Sequence, residues 1–398
     1  MQTERQKIHV LHIPRWFPHR DDSMWGLFVK NHLLCLAGKC ENSVLFLHFV
    51  EKQAAVFYMV NTIDDSYYNC TIYIRKATGG IGLLNNLING FRYFTACWRG
   101  YKTIRLKRNK PDLVHVHILT RPAIFALLLK WFHGIPYLIS EHWSRYFPEH
   151  NAFHGFFRKK ITRFILKRSE MLLPVSASLY QAMEVHGLNH RHHFTLANAV
   201  DTDLFKPSET KPQNTVTRLI HISCFEDKSK NISGLLKAMQ LLKAQNIPVT
   251  LDLVGDGIDR IEMEALATNL GLSQHEAIFH GTLQPKMLVK LLQQSDFLIQ
   301  TSFYETFSTV VAESLACGIP VLSTPVGIFP EIFKPDLGLI IPGSSPDVIV
   351  NSIVLAISKK GSFDSSAMRN IAIERFSNES VGKALFEKYE SIISASTK

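Results

Sequence analysis

The sequence predicts two tandem α/β domains, each built on a doubly wound parallel sheet. Three observations carry that prediction. The chain has 398 residues, more than one ordinary hydrophobic core serves, so two domains of about 200 residues each are expected. Strand-like and helix-like stretches alternate through both halves. Apolar residues make up 46% and charged residues 20%, the balance of a globular chain rather than a disordered one.

In the first half, β-branched and aromatic runs predict strands at IHVLHI (8–13), SVLFLHFV (43–50), TIYIRKA (71–77), LVHVHI (113–118), YLIS (137–140) and MLLPVS (171–176). Helical spacing fits 27–39, 83–108, 123–133 and 177–187 between them. The second half repeats the rhythm. Strands are expected at RLIHIS (218–223), LDLVG (251–255), AIFHG (277–281), DFLIQTS (296–302) and PVLST (320–324), with helices at 231–245, 261–271, 287–294 and 308–318. The polar segment KPSETKPQNTV (206–216), with two prolines, is the best linker. The expected organisation is a first Rossmann-like domain over 1–205, a linker over 206–217, a second such domain over 218–375, and a C-terminal helix over 376–398 that packs back toward the first. Open sheets of this type bind ligands at the carboxyl ends of their strands, so a central cleft faced by both domains is the default site.

Composition narrows the function. The longest apolar run, at 123–132, is too short to span a bilayer and carries Lys130. The charged start MQTERQK predicts no signal peptide. Six cysteines without a CxxC pair argue for a reducing compartment, and 18 histidines without HExxH spacing predict no metal site. Residues 1–200 hold 26 Lys+Arg against 12 Asp+Glu, a net of +14, while the rest is net −4, which together give the overall +10. A basic first half implies an anionic partner. Two segments, 90–110 and 153–171, mix aromatics with Arg and Lys in the manner of helices that lie on anionic lipid. A membrane surface is therefore expected, at the inner face of the cytoplasmic membrane. Nucleic acid is not, since no binding module is present.

The stretch 302–324, SFYETFSTVVAESLACGIPVLST, carries most chemistry. A strand ends near Ser302, and a helix is expected to start after Thr306 or Ser308, either of which can cap it. Free amides from Phe307 to Val310 would then form an anion site suited to a diphosphate. Glu313, about two turns in, is placed to accept both hydroxyls of a ribose, and Glu305 to accept from a sugar ring. This E-x7-E stretch resembles the signature of glycosyltransferase family 4. Similar resemblances lie in order along the chain, at PDLVHVH (111–117), GIPYLISEHWS (134–144), NAVDTDLFKP (198–207), FEDKSKN (225–231) and LDLVGDG (251–257).

The resemblance implies a GT-B fold, a nucleotide diphosphate sugar held by the second domain, and transfer with retention of configuration, without a metal or other cofactor. It gives Glu313 the ribose and Glu305 the sugar hydroxyls. Thr306, Phe307 and Ser308 take the donor through their amides, and Lys230 takes the leaving diphosphate, with Lys228 as substitute in a shifted loop register. His142 in SEHWS falls over the donor sugar. Gly255, Gly257 and Gly327 fall at donor-side turns, whereas Gly26 and Arg15 belong to an acceptor and phosphate loop. The family's usual arginine is replaced at Cys224. His115 and His117 are expected on opposite strand faces, in structural roles. The acceptor is expected to be a saccharide or a lipid-linked molecule of cell-surface polysaccharide synthesis. The alternatives are a nucleotide-sugar epimerase and a non-catalytic binding subunit. A dinucleotide oxidoreductase is disfavoured because no G-x-G-x-x-G follows the first strand.

Overall fold

The computed structural model describes residues 7–396 other than 65, 80, 81, 151 and 211–214, so part of the expected linker lies outside the described residues. The chain divides into two compact units. One comprises Met1–Val175, Leu179–Ala199 and Val381–Lys398, and the other Ser176–Ser178 and Val200–Ser380.

The first unit contains seven strands: β1 (His9–Pro14), β2 (Glu41–Val50), β3 (Phe57–Ile63), β4 (Tyr68–Arg75), β5 (Leu113–His117), β6 (Tyr137–Glu141) and β7 (Leu172–Pro174). They form one sheet in the order β3-β4-β2-β1-β5-β6-β7. Every pairing is parallel except β3, which runs antiparallel along β4. Sequence patterning misses β3 because FYMVNTI is an edge strand with mostly exposed side chains and no clean alternation. β5 and β6 are buried along their whole length, as strands covered on both faces must be. Val10, Leu113, Leu138 and Leu173 of this sheet pack against Val381, Leu385, Tyr389 and Ile392 of the helix Asn378–Ser396. That helix comes close enough that a Cβ on Gly382 would lie 2.2 Å from the Cys35 carbonyl oxygen, so only glycine fits there.

The second unit contains β8 (Thr217–Ile222), β9 (Val249–Val254), β10 (Ala277–Gly281), β11 (Phe297–Gln300), β12 (Val321–Ser323) and β13 (Gly338–Ile340). Its sheet order is β10-β9-β8-β11-β12-β13, and every pairing is parallel. Leu219, Leu251, Phe297 and Ile299 from the strands meet Leu235, Leu236 and Met239 of helix Ile232–Ala244 and Ile349 and Ile353 of helix Pro346–Ser358. Mixed α/β architecture with two parallel-sheet domains is therefore present as the sequence predicts. The strand order in the second unit reverses direction at β8, between β9 and β11, and the loops leaving these strands carry the motif residues.

Candidate active site

In the second unit, the loop after β8 and the loop after β11 are stitched together. Lys230 ends the short helix Asp227–Lys230, and its ammonium donates to Glu305 Oε1 at 2.6 Å. Ser302 Oγ donates to the same carboxylate oxygen at 3.0 Å. Thr301 Oγ1 reaches the carbonyls of Lys230 and Asn231 at 3.1 and 3.2 Å, and the Phe303 amide donates to the Ser229 carbonyl at 2.9 Å. Burial alone would lower the Lys230 pKa, but the charge of Glu305, with smaller help from Cys224 and Tyr304, outweighs it and the net shift is upward. The ammonium is therefore charged at neutral pH. Lys228, by contrast, is exposed.

The helix expected here runs Thr309–Ala316 with Ser308 at its N-cap in the left-handed region (φ 70°). The side-chain cap does not form. Ser308 Oγ donates instead to Gln300 Oε1, leaving the buried Gln300 Nε2 as an unpartnered donor. The Val311 amide turns back to the Ser308 carbonyl, while the amides of Thr309 and Val310 remain free among the described residues. Phe307 is buried edge-on against Phe376, and Thr306 is half-buried in the loop before the helix. Glu313 lies in the second turn of that helix with a little surface showing. Most of its carboxyl is walled in by protein, and burial pushes its pKa up to about 8.

Three glycines hold these loops close. A Cβ at Gly327 (φ +63°) would lie 2.6 Å from the Phe307 carbonyl oxygen and 3.1 Å from Glu305 Cβ. At Gly255 it would sit 1.8 Å from the Ser223 carbonyl oxygen, and at Gly257 2.6 Å from the Phe225 amide nitrogen. All three therefore serve close approach of backbone to backbone. Cys224 is a free, exposed thiol between Ser223 and Phe225 and brings no cation to this loop. Sequence reading misses His221, buried in β8 and held by the Ile299 carbonyl (3.0 Å) and Ser223 Oγ (2.8 Å).

In the first unit, the loop after β1 carries Arg15, exposed, with its guanidinium 4.7 Å from the Trp143 ring. Gly26 (φ +72°) closes the same loop, where a Cβ would lie 2.3 Å from the Trp16 carbonyl oxygen. Its immediate partner is thus its own loop. His142, just past β6, is buried against the Phe28 ring at 4.2 Å. Burial holds its pKa well below the ordinary imidazole value, so it acts as a neutral ring. The backbone behind it is fixed by the fully buried Glu141, which accepts from the amides of Leu119, His142 and Trp143 at 3.0 Å each.

His115 and His117 do not point to opposite faces. Their rings stack at 4.0 Å, because residues two apart on a strand share a face. His115 is structural, bonded to Tyr389 Oη (2.6 Å) and Ser140 Oγ (2.7 Å). His117 joins His12, His32 and His142 in a buried imidazole cluster drawn from four segments. No local spacing rule finds such a set.

A cavity of about 310 Å³ lies beside Arg15, lined by Arg121, Arg145 and Arg158 on its charged side and by Leu119, Ile124 and Ile161 among its apolar walls. Arg145 is buried, and its Nε has no hydrogen-bond partner.

Two loops thus meet at a parallel-sheet switch point with a lysine, a free helix start and two glutamates eight residues apart, in a two-domain parallel-sheet fold that is that of GT-B glycosyltransferases. The chain belongs to the family 4-type glycosyltransferases: the family described as Glycosyl transferases group 1 matches residues 205–375, and Glycosyltransferase Family 4 matches residues 75–204. A component of the phosphatidylinositol N-acetylglucosaminyltransferase of Arabidopsis thaliana is 22% identical over 93% of this chain and 80% of its own length. N-acetyl-alpha-D-glucosaminyl L-malate synthase of Bacillus anthracis is 28% identical over 57% of this chain and 60% of its own. The sulfoquinovosyl transferase of Arabidopsis thaliana is matched over only 54% of its length. Among solved structures, sucrose-phosphate synthase from Thermosynechococcus elongatus superposes with a TM-score of 0.75 at 16% identity, covering 98% of this chain and 100% of that one. HepE of Anabaena in complex with UDP gives 0.71 at 16% identity, over 96% and 100%. These likenesses speak for the fold.

Proposed function

We propose that this glycosyltransferase moves a hexose from a nucleotide diphosphate sugar, with retention of configuration, onto a saccharide or lipid-linked acceptor in cell-surface polysaccharide synthesis. One observation carries the donor half: Lys230 and Glu305 meet at 2.6 Å beside a free helix N-terminus. The reading is further supported by Anabaena HepE, a fold neighbour crystallised with UDP and with UDP-glucose.

In this reading the diphosphate sits at the amides of Thr309 and Val310 and draws on the Lys230 charge. Glu313 accepts the ribose hydroxyls, and Glu305 turns to the sugar. The protein supplies preorganised charge as the diphosphate leaves. The leaving phosphate itself takes the acceptor proton on the same face, so no side-chain nucleophile and no metal is required.

The acceptor half rests on the cavity beside Arg15. Four arginines over apolar walls suit an anionic headgroup that continues into a hydrocarbon chain. Helix Phe156–Arg168 borders that cavity through Arg158 and Ile161, and it exposes Phe156 (74%) and Phe157 (77%) amid Lys159, Lys160 and Lys167. No helix among the described residues is long and apolar enough to cross a membrane. An anionic membrane surface is the partner this helix fits.

Incubation with UDP-, GDP- and ADP-sugars, with and without lipid-phosphate acceptors, tests the proposal. Acceptor-dependent nucleotide release with one donor and a product of unchanged anomeric configuration is expected. An inverted product or release without transfer would overturn it.

A further inference from the structure

The buried imidazole cluster of the first unit contains a set of nitrogens that the transfer chemistry does not use. His32 lies in the helix Leu27–Cys35, His117 ends β5, and His142 follows β6. All three are at least nine-tenths buried. Four of their ring nitrogens have no hydrogen-bond partner: His32 Nδ1, His117 Nδ1, and both nitrogens of His142. Leaving a buried polar atom unsatisfied costs about 1–3 kcal/mol, so four in one place call for an occupant.

The surrounding hydrogen bonds fix which of these nitrogens are bare. Asn42 Nδ2 donates to the Ser66 carbonyl at 3.4 Å, which turns Oδ1 toward His12 Nε2 at 3.1 Å. An oxygen can only accept, so His12 carries its proton on Nε2 and offers Nδ1 as an acceptor. His117 Nε2 lies 3.1 Å from that Nδ1 and must donate to it. The His117 proton is therefore on Nε2, and Nδ1 is a lone pair. By the same logic, His32 Nε2 donates to the Ala197 carbonyl at 3.2 Å and its Nδ1 is also a lone pair. Metal-binding histidines are oriented in this way, with the far nitrogen donating to an outer oxygen or ring and the near one bare.

We propose that His32, His117 and His142 form a binding site for one divalent transition-metal ion of the zinc class. Candidate ligand atoms of the three rings lie within 4.8 Å of one another. Three atoms so spaced are no farther than about 2.8 Å from a common centre, and zinc–nitrogen bonds are about 2.0–2.1 Å, so each ring closes by less than about 1 Å. Three neutral imidazoles leave a fourth position open for water. His142 has two unpartnered nitrogens, so one can ligate while the other keeps the ring proton. The ion would tie the helix Leu27–Cys35 to the ends of β5 and β6. The competing occupant is an ordered water that donates to His32 and His117 and accepts from His142.

The test is a titration of chelator-dialysed full-length protein with Co²⁺ and then Zn²⁺. The expected result is one ion per chain, with the intense visible absorption of four-coordinate cobalt that zinc displaces. His32→Gln and His117→Gln each lose that absorption and bind at least about tenfold more weakly. Asn42→Leu, which frees the tautomer of His117, binds about 10–100-fold more weakly. His48→Gln, in the separate surface group of His19, Asp21 and His48, keeps the absorption. Should the histidine variants misfold, X-ray absorption of the wild-type cobalt protein must show three imidazole nitrogens. No stoichiometric uptake, a six-coordinate spectrum, or loss only in His48→Gln would overturn the site in favour of water. The readout is metal binding, so it stands or falls apart from the transferase reading.

Discussion

Lys230 and Glu305 neutralise each other at 2.6 Å, although one closes the loop after β8 and the other sits in the loop after β11. The pair is more than an ion pair, because Thr301 and the Phe303 amide clamp the same two loops independently. On the proposed reading, a diphosphate arriving at the helix start would compete with Glu305 for the ammonium and free that carboxylate for the sugar.

Removing the ammonium tests this directly. Lys230→Ala should lower kcat about 10²–10³-fold, the usual loss when one preorganised charge-stabilising donor is removed, with a smaller change in donor affinity. Steady-state kinetics with a fixed acceptor separates the two effects. A change confined to KM would remove Lys230 from the leaving-group role.

Glu313 gives a pH signature. Its carboxyl in the free protein holds a proton up to about pH 8, whereas accepting two ribose hydroxyls needs the carboxylate. If Glu313 takes the ribose, donor binding below pH 8 should therefore release a proton. Affinity should rise about tenfold per unit from pH 6 toward 8 and level off above. Calorimetry across that range checks it, and Glu313→Gln should flatten the profile.

The same shift predicts a stability effect with a definite sign. Unfolded, the carboxyl ionises near 4.5, while folded it ionises only near 8. The unfolded state therefore binds fewer protons between these values, and stability falls as pH rises through the window. Glu313→Gln should match the wild type in Tm near pH 4 and exceed it at pH 8.5. Equal melting curves at both pH values would contradict the burial.

Gly327 packs its backbone against the loop that carries Glu305 and Phe307. Gly327→Ala places a Cβ against the Phe307 carbonyl in a left-handed conformation, which costs on the order of 1–3 kcal/mol. Thermal unfolding should show the loss, and donor affinity should fall with it as residues 305–308 shift.

For the helix Phe156–Arg168, Phe156→Ser with Phe157→Ser should abolish sedimentation with anionic vesicles. Activity on a short soluble acceptor should be unchanged. Wild-type binding should weaken with salt. Equal vesicle binding by the double variant would rule out this helix as the contact.

What is legible in the sequence follows from the range over which each signal acts. Strand–helix alternation and the Glu305–Glu313 spacing are local, and both appear where expected. Local pattern places the helix start within a residue. It does not show Ser308 turning away from its capping role, because Gln300 lies on the preceding strand and competes for its hydroxyl. β3 escapes detection because an exposed edge strand has no buried face to pattern. The His32–His117–His142 group is invisible because its members are 85 and 25 residues apart and meet only through the order of β1, β5 and β6.

The most direct measurement is calorimetric titration of the wild type and of Glu313→Ala with UDP-, GDP- and ADP-sugars at pH 8. The account predicts that at least one donor binds the wild type and binds the variant at least about tenfold more weakly. Failure of every donor to bind the wild type, or equal affinity in the variant, would contradict it.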